Sequence, residues 1–249
     1  GFNPGPARAG VVRTDGVLPL PCRPGMAQEF VGEDGEKVWA FAVRSPGAQG
    51  IRLRFSEVHL AGASLTVYSP LTEHPIVFGP HDRTDPRGEL EIWTSVLPGD
   101  SVVVEVSGEV YPEMILDQVV HLDRANEAYG ETEDDALVGA CDRYVECFND
   151  TEVNQICRQA TGRMNFTVGT AGALCSGTLL NDLDDETFVS YFLTANHCLS
   201  TQAAANTLTV IWFYEAGACG GTDPGIAGFP SNTGATLLET QSSNDFTFL

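Results

Sequence analysis

The residues best suited to chemistry lie in Tyr191-Phe-Leu-Thr-Ala-Asn-His-Cys198. A short apolar run there delivers His197 at its end, and Cys175 and Cys198, 23 residues apart, flank the strand that carries it. An imidazole with a near-neutral pKa can take a proton from a nucleophile and return it to a leaving group. That role needs a carboxylate to hold the other ring nitrogen in one tautomer. Asp245, in Ser243-Asn-Asp-Phe-Thr-Phe-Leu249, opens an apolar strand. A charge is costly there unless it has a partner. His197 and Asp245 are therefore the candidate catalytic residues.

Elements on both sides must position this pair. From about residue 28 to 123 short runs of period two recur. Ile51, Leu53 and Phe55 alternate with Arg52 and Arg54, and Val102, Val104 and Val106 alternate with Val103, Glu105 and Ser107. Further strands are predicted at Val38–Arg44, Ser64–Tyr68, Pro75–Phe78 and Leu90–Val96. Turns are predicted at Ser45-Pro-Gly47, Ala61-Gly62, Gly79-Pro80, Pro86-Arg-Gly88 and Pro98-Gly-Asp100. Regular strand spacing with such turns predicts an antiparallel β-sandwich over residues 1–125. Residues 126–140 crowd Glu127, Glu131, Glu133, Asp134 and Asp135 among few large apolar residues and read as an exposed acidic linker. A second unit spans 141–249. There Asn149 or Asp150 could cap a helix carrying Val153, Ile156 and Cys157. Strands are predicted at Met164–Val168, Ala173–Leu180, Thr187–Thr194, Thr207–Tyr214, Ala235–Glu239 and Asp245–Leu249, with an acidic turn at Asp182–Glu186 and a glycine-rich loop at Gly217–Gly234. His59, His74, His81 and His121 form no cluster and read as structural or exposed, and Trp212, Phe213 and Tyr214 as core and rim.

Composition narrows the function. The net charge is −21, from 34 acids against 13 bases, while 43% of residues are hydrophobic, with 13 Phe, 3 Trp and 6 Tyr. That apolar content excludes a disordered chain. The acid surplus argues against nucleic acid and against anionic membrane surfaces. No apolar run reaches the ~18–20 residues of a transmembrane helix. The chain opens with Gly1 and shows no signal peptide, so we expect either that one was removed or that the chain is a fragment. Seven cysteines, at 22, 141, 147, 157, 175, 198 and 219, show no C-x2-C metal spacing. They read as a disulfide framework in an exported protein, with an odd thiol left over. Lys37 is the only lysine, and no Lys or Arg follows Arg163.

Thr194-Ala-Asn-His-Cys198 resembles the T-A-x-H-C signature of chymotrypsin-fold serine proteases. With Cys141-x5-Cys147, Cys175-Ser-Gly-Thr-Leu, Trp212-Phe-Tyr, Cys219, Thr233-Gly-Ala and Asn244-Asp-Phe-Thr, in that order, the segment is similar to the bacterial lysyl endopeptidase branch. Residues 1–125 look more loosely like the sandwich-type pro-region of such proteases. The resemblance implies an all-β chain: a β-sandwich followed by the first β-barrel of a chymotrypsin-like fold, with the second barrel missing. It implies His197 as general base and acid, Asp245 as its orienting carboxylate, and Cys175–Cys198 and Cys147–Cys219 as disulfides. In that family the cysteine matching Cys141 pairs far downstream, and Cys22 with Cys157 is then a further possible pair. No G-x-S-G nucleophile segment occurs in residues 1–249. The expectation is thus a secreted bacterial serine endopeptidase precursor cutting after lysine or another basic residue, monomeric, without cofactor or metal, acting on protein or peptide substrates. As given it is an incomplete and inactive fragment. The alternative is a non-catalytic extracellular binding or adhesion protein with a degenerate half-barrel. The scarcity of lysine fits a GC-rich genome that favours arginine codons; it also fits self-protection of a lysine-cleaving enzyme.

Overall fold

The computed structural model describes residues 6–14, 18–20, 27–32, 35–70, 76–82, 91–123, 145–148, 151–182, 184, 186–187, 189–219 and 229–249. The predicted acidic linker, Cys22, Cys141, the candidate caps Asn149 and Asp150, and the turn Pro86-Arg-Gly88 lie outside these residues. The chain is mostly β, as the all-β reading requires. It divides into two compact units, one of residues 10–125 and one of residues 1–9 with 126–249.

Up to residue 125 the strands are β1 (Ala7–Arg13), β2 (Leu18–Leu20), β3 (Gln28–Val31), β4 (Lys37–Arg44), β5 (Gly50–His59), β6 (Ser64–Tyr68), β7 (Val77–His81), β8 (Glu91–Trp93), β9 (Leu97–Pro98), β10 (Ser101–Gly108) and β11 (Glu113–Leu122). One antiparallel sheet has the order β3-β4-β10-β6-β7. In the other, β1, β11, β5 and β8 lie side by side, with β2 also on β11 and β9 on β5. Alternation drives the packing. Val102, Val104 and Val106 of β10, Leu65 and Val67 of β6, and Ile51, Leu53 and Phe55 of β5 all point into one buried core. Each such side chain contributes roughly 1.5–3 kcal/mol by leaving water.

One local expectation changes here, and one residue is more buried than its alternation alone implies. Arg52 does lie on the face opposite Ile51 and Leu53, but that face is covered too, and Arg52 is only 2% exposed. Its Nε–H donates to the Thr94 carbonyl at 3.1 Å, its guanidinium lies over the Trp93 ring, and burial pushes its pKa down to about 10. Gly79-Pro80, predicted as a turn, lies inside β7.

In the second unit a 3-10 turn (Val145–Phe148) and helix α1 (Glu152–Ala160) precede β12 (Thr161–Val168), β13 (Ala171–Leu180), β14 (Tyr191–Thr194), α2 (Gln202–Asn206), β15 (Thr209–Trp212), β16 (Ser231–Thr233), β17 (Glu239–Gln241) and β18 (Phe246–Phe248). Thr151 caps α1, its hydroxyl accepting from the Asn154 N–H at 3.2 Å. The antiparallel order is β16-β15-β12-β13-β14-β18-β17. Because β16 runs on to β17 through residues 234–238, the two ends of this order are consecutive in the chain, and the barrel is nearly closed. Of Ala235–Glu239, predicted as one strand, only Glu239 lies in a strand and the rest belongs to this crossing. Its N–H groups leave ladder pairing for the Leu208 carbonyl (Gly234, 2.7 Å), the Ala205 carbonyl (Ala235, 3.0 Å) and the Phe248 carbonyl (Leu238, 2.9 Å). The predicted strand Thr187–Thr194 starts only at Tyr191. Asp182 accepts from the Thr187 hydroxyl at 2.8 Å and the Val189 N–H at 3.1 Å, which holds the preceding residues in a turn. Met164, Phe166, Phe192, Leu199, Leu208 and Val210 fill the barrel core.

Candidate active site

Strand register brings the histidine and the carboxylate together. β14 pairs with β18, Leu193 opposite Phe248 and Thr194 opposite Thr247. The chain leaves β14 into a turn at Asn196–Cys198, and the turn 242–245 enters β18 from the same end. Asp245 has φ of 52°, a left-handed conformation that Asp tolerates better than most residues. One of its oxygens, Oδ1, accepts the His197 backbone N–H at 2.9 Å, and the other, Oδ2, contacts His197 Nδ1 at 2.7 Å. The Asn196 N–H adds a further bond.

The chemistry follows from these bonds. The His197 backbone N–H, then the imidazole, hold the Asp245 carboxyl below its ordinary pKa, against the smaller opposing effect of burial. An ionised carboxylate only accepts, so Nδ1 carries the proton and Nε2 is left as the basic nitrogen. The His197 side chain is 27% exposed, enough for a reacting group to reach it.

Residues 137–249 match the family model described as lysyl endopeptidase, C-terminal domain. A lysyl endopeptidase of Pseudomonas aeruginosa is 25% identical over 209 residues, covering 76% of this chain and 43% of that protein. The chain is lysyl endopeptidase-like. It spans less than half the length of that curated relative. The similarity is to a protease family.

Two disulfides brace the lysyl endopeptidase-like unit. Cys175 of β13 is joined to Cys198 in the turn after β14, with Cα atoms 6.1 Å apart, and Cys147 is joined to Cys219 at 4.7 Å. Such bridges fit an extracellular protein. One ligand-capable atom each from Cys175, His197 and Cys198 lies within 4.8 Å of the others, but the bridge takes both sulfurs and leaves no thiolate for a metal. Cys157 is exposed and carries no bridge among the described residues.

Sequence reasoning missed the residues that clamp the histidine turn. Thr247 Oγ1 donates to the Leu199 carbonyl at 2.5 Å, so it must accept from Thr240 Oγ1, 2.6 Å away. Thr240 Oγ1 in turn accepts from Asn196 Nδ2 at 2.8 Å. This directed chain starts one residue before His197 and ends two after it, gripping the turn from both sides. Thr194 adds a bond from its hydroxyl to the Ser176 carbonyl at 2.9 Å. Threonines in strands are too common to single out, and only the pairing of β14, β17 and β18 makes these three meet.

Proposed function

We propose that this chain supplies the general base and the orienting carboxylate of a secreted serine endopeptidase precursor that cleaves after lysine. The observation that carries this reading is the two-point hold of Asp245 on His197, through the ring Nδ1 and the backbone N–H together. One bond fixes the tautomer; the second fixes where the ring stands. His197 Nε2 then accepts the proton of a serine hydroxyl as it attacks the substrate carbonyl, and returns it to the leaving amine. Asp245 stays ionised throughout and stabilises the imidazolium. The name of the Pseudomonas aeruginosa relative supports lysine as the preferred residue, and the strongly acidic charge of −21 favours a cationic substrate. The serine, absent from residues 1–249 as a G-x-S-G segment, is supplied from outside them. The sandwich unit acts as the pro-region, and both disulfides suit a secreted product.

The test is expression of the full-length gene with His197→Ala. Hydrolysis of lysyl peptides should fall by at least about 1,000-fold, the loss expected when a general base is removed from such a triad. Undiminished hydrolysis would reject His197 as the base. Equal rates on lysyl and non-basic peptides in the parent protein would reject the specificity.

A further inference from the structure

Lys37 is the only lysine in residues 1–249, so a lysine-directed endopeptidase meets a single cleavable bond here, Lys37–Val38. The Lys37 side chain is exposed. Its backbone is committed on both sides. Lys37 stands opposite Val31 of β3 and Gly108 of β10, Val38 opposite Phe30 and Ser107, and Trp39 opposite Glu29 and Val106. Before it, the hairpin loop is closed by the Gly32 N–H donating to the Glu36 carbonyl at 2.8 Å. An endopeptidase binds its substrate as an added extended strand, through the backbone donors and acceptors that these pairings already use.

The two flanks differ in strength. β10 is eight residues long, central, and anchored by buried Val102, Val104 and Val106. β3 is a four-residue edge strand with every residue exposed. Opening therefore proceeds from the β3 side, at less cost than unfolding the sandwich. The predicted linker, 126–140, offers no substitute site, since it holds neither lysine nor arginine.

We propose that Lys37–Val38 is a shielded proteolytic site: the sandwich keeps the one lysyl bond of this chain closed until β3 peels away. The chain is then a poor substrate for an activity of its own specificity, and separation of the two units falls to an endopeptidase that does not require lysine. The biological meaning rests on the lysine specificity proposed above; the shielding itself does not.

The experiment adds a purified endopeptidase of established lysine specificity to the 249-residue chain, folded and in urea, and follows the products by mass spectrometry. The unfolded chain should give two fragments, 1–37 and 38–249. The folded chain should be cut at least about 100-fold more slowly, because cutting tracks the population of the open form. The double variant Phe30→Pro with Val31→Pro removes one of the N–H groups β3 turns to β4, weakens the extended pairing there, and should speed cutting of the folded chain at least about tenfold. Rapid cutting of the folded parent would overturn the proposal. So would a double variant as resistant as the parent, which would mean that β3 is not the shield. If the full-length protein proves indifferent to lysine while Lys37 stays resistant, the specificity reading falls and the shielding stands.

Discussion

Replacing Thr247 by Val tests whether the Asn196–Thr240–Thr247–Leu199 chain holds the histidine turn. The side chain is fully buried, and valine keeps its shape while removing the hydroxyl. Thr240 can turn its proton to the Phe246 carbonyl, 3.3 Å away, but the buried Leu199 residue loses the donor that its carbonyl has here. An orphaned buried carbonyl costs about 1–3 kcal/mol. The added methyl returns up to about 0.8 kcal/mol of burial. A net loss of about 0.2–2 kcal/mol follows, centred near 1, and with an m-value of about 2 kcal/mol/M the urea midpoint should fall by about 0.5 M and by no more than about 1 M. Fluorine NMR of fluorotryptophan-labelled chain reads the units separately, with Trp212 reporting on the barrel and Trp39 and Trp93 on the sandwich. Only the Trp212 transition should move. Asn196→Ala combined with Thr247→Val should deviate from additivity by about 0.5 kcal/mol or more, although Asn196 reaches Thr247 only through Thr240. An unchanged Trp212 midpoint, or additivity within about 0.3 kcal/mol, would refute a continuous clamp.

Other consequences are open to measurement. Asp245 has its pKa depressed by the His197 N–H and ring, so its stabilising contribution is present above the ordinary carboxylate range and is lost as pH falls through a lower value. Its carboxyl resonance should titrate below about 3.9, and a midpoint at or above that value would contradict the two-point hold. His81 has its pKa lowered by burial, offset in part by Asp82. It binds a proton less readily folded than unfolded, so sandwich stability should decline as pH drops below about 6.5. Sandwich melting that is insensitive between about pH 7 and pH 5, or a His81→Gln variant with the same pH slope, would count against it. At Gly177 an added Cβ would meet the Phe192 ring at 2.2 Å and the Leu193 carbonyl at 2.8 Å. Gly177→Ala should therefore destabilise the barrel by about 1–3 kcal/mol in the same urea assay, and a neutral result would show that β13 and β14 have slack.

Much of this protein is local, and local features are written in the chain. The alternation of Val102, Val104 and Val106, or of Ile51, Leu53 and Phe55, specifies a strand and its buried face at once, because side chains alternate sides with a period of two. His197 stood out in the same way, as a titratable residue ending an apolar run between two cysteines, and Asp245 as a charge at the head of another. The sequence also limited this chain to a single lysine.

What lay beyond it depended on which strands became neighbours. Residues 235–239 look like a strand, yet 235–238 became part of a crossing, since the Ala235 and Leu238 N–H groups found carbonyls at Ala205 and Phe248. Arg52 was legible as facing away from the apolar core, but not as buried, because the cover on that side comes from Trp93 and Thr94, some 40 residues on. The distance from His197 to Asp245, the clamp through Thr240 and Thr247, and the β10 side of the pairing around Lys37 all arise between segments distant in the chain. A hydrogen bond between such segments depends on register to within an ångström or so, and composition and periodicity carry no information at that scale.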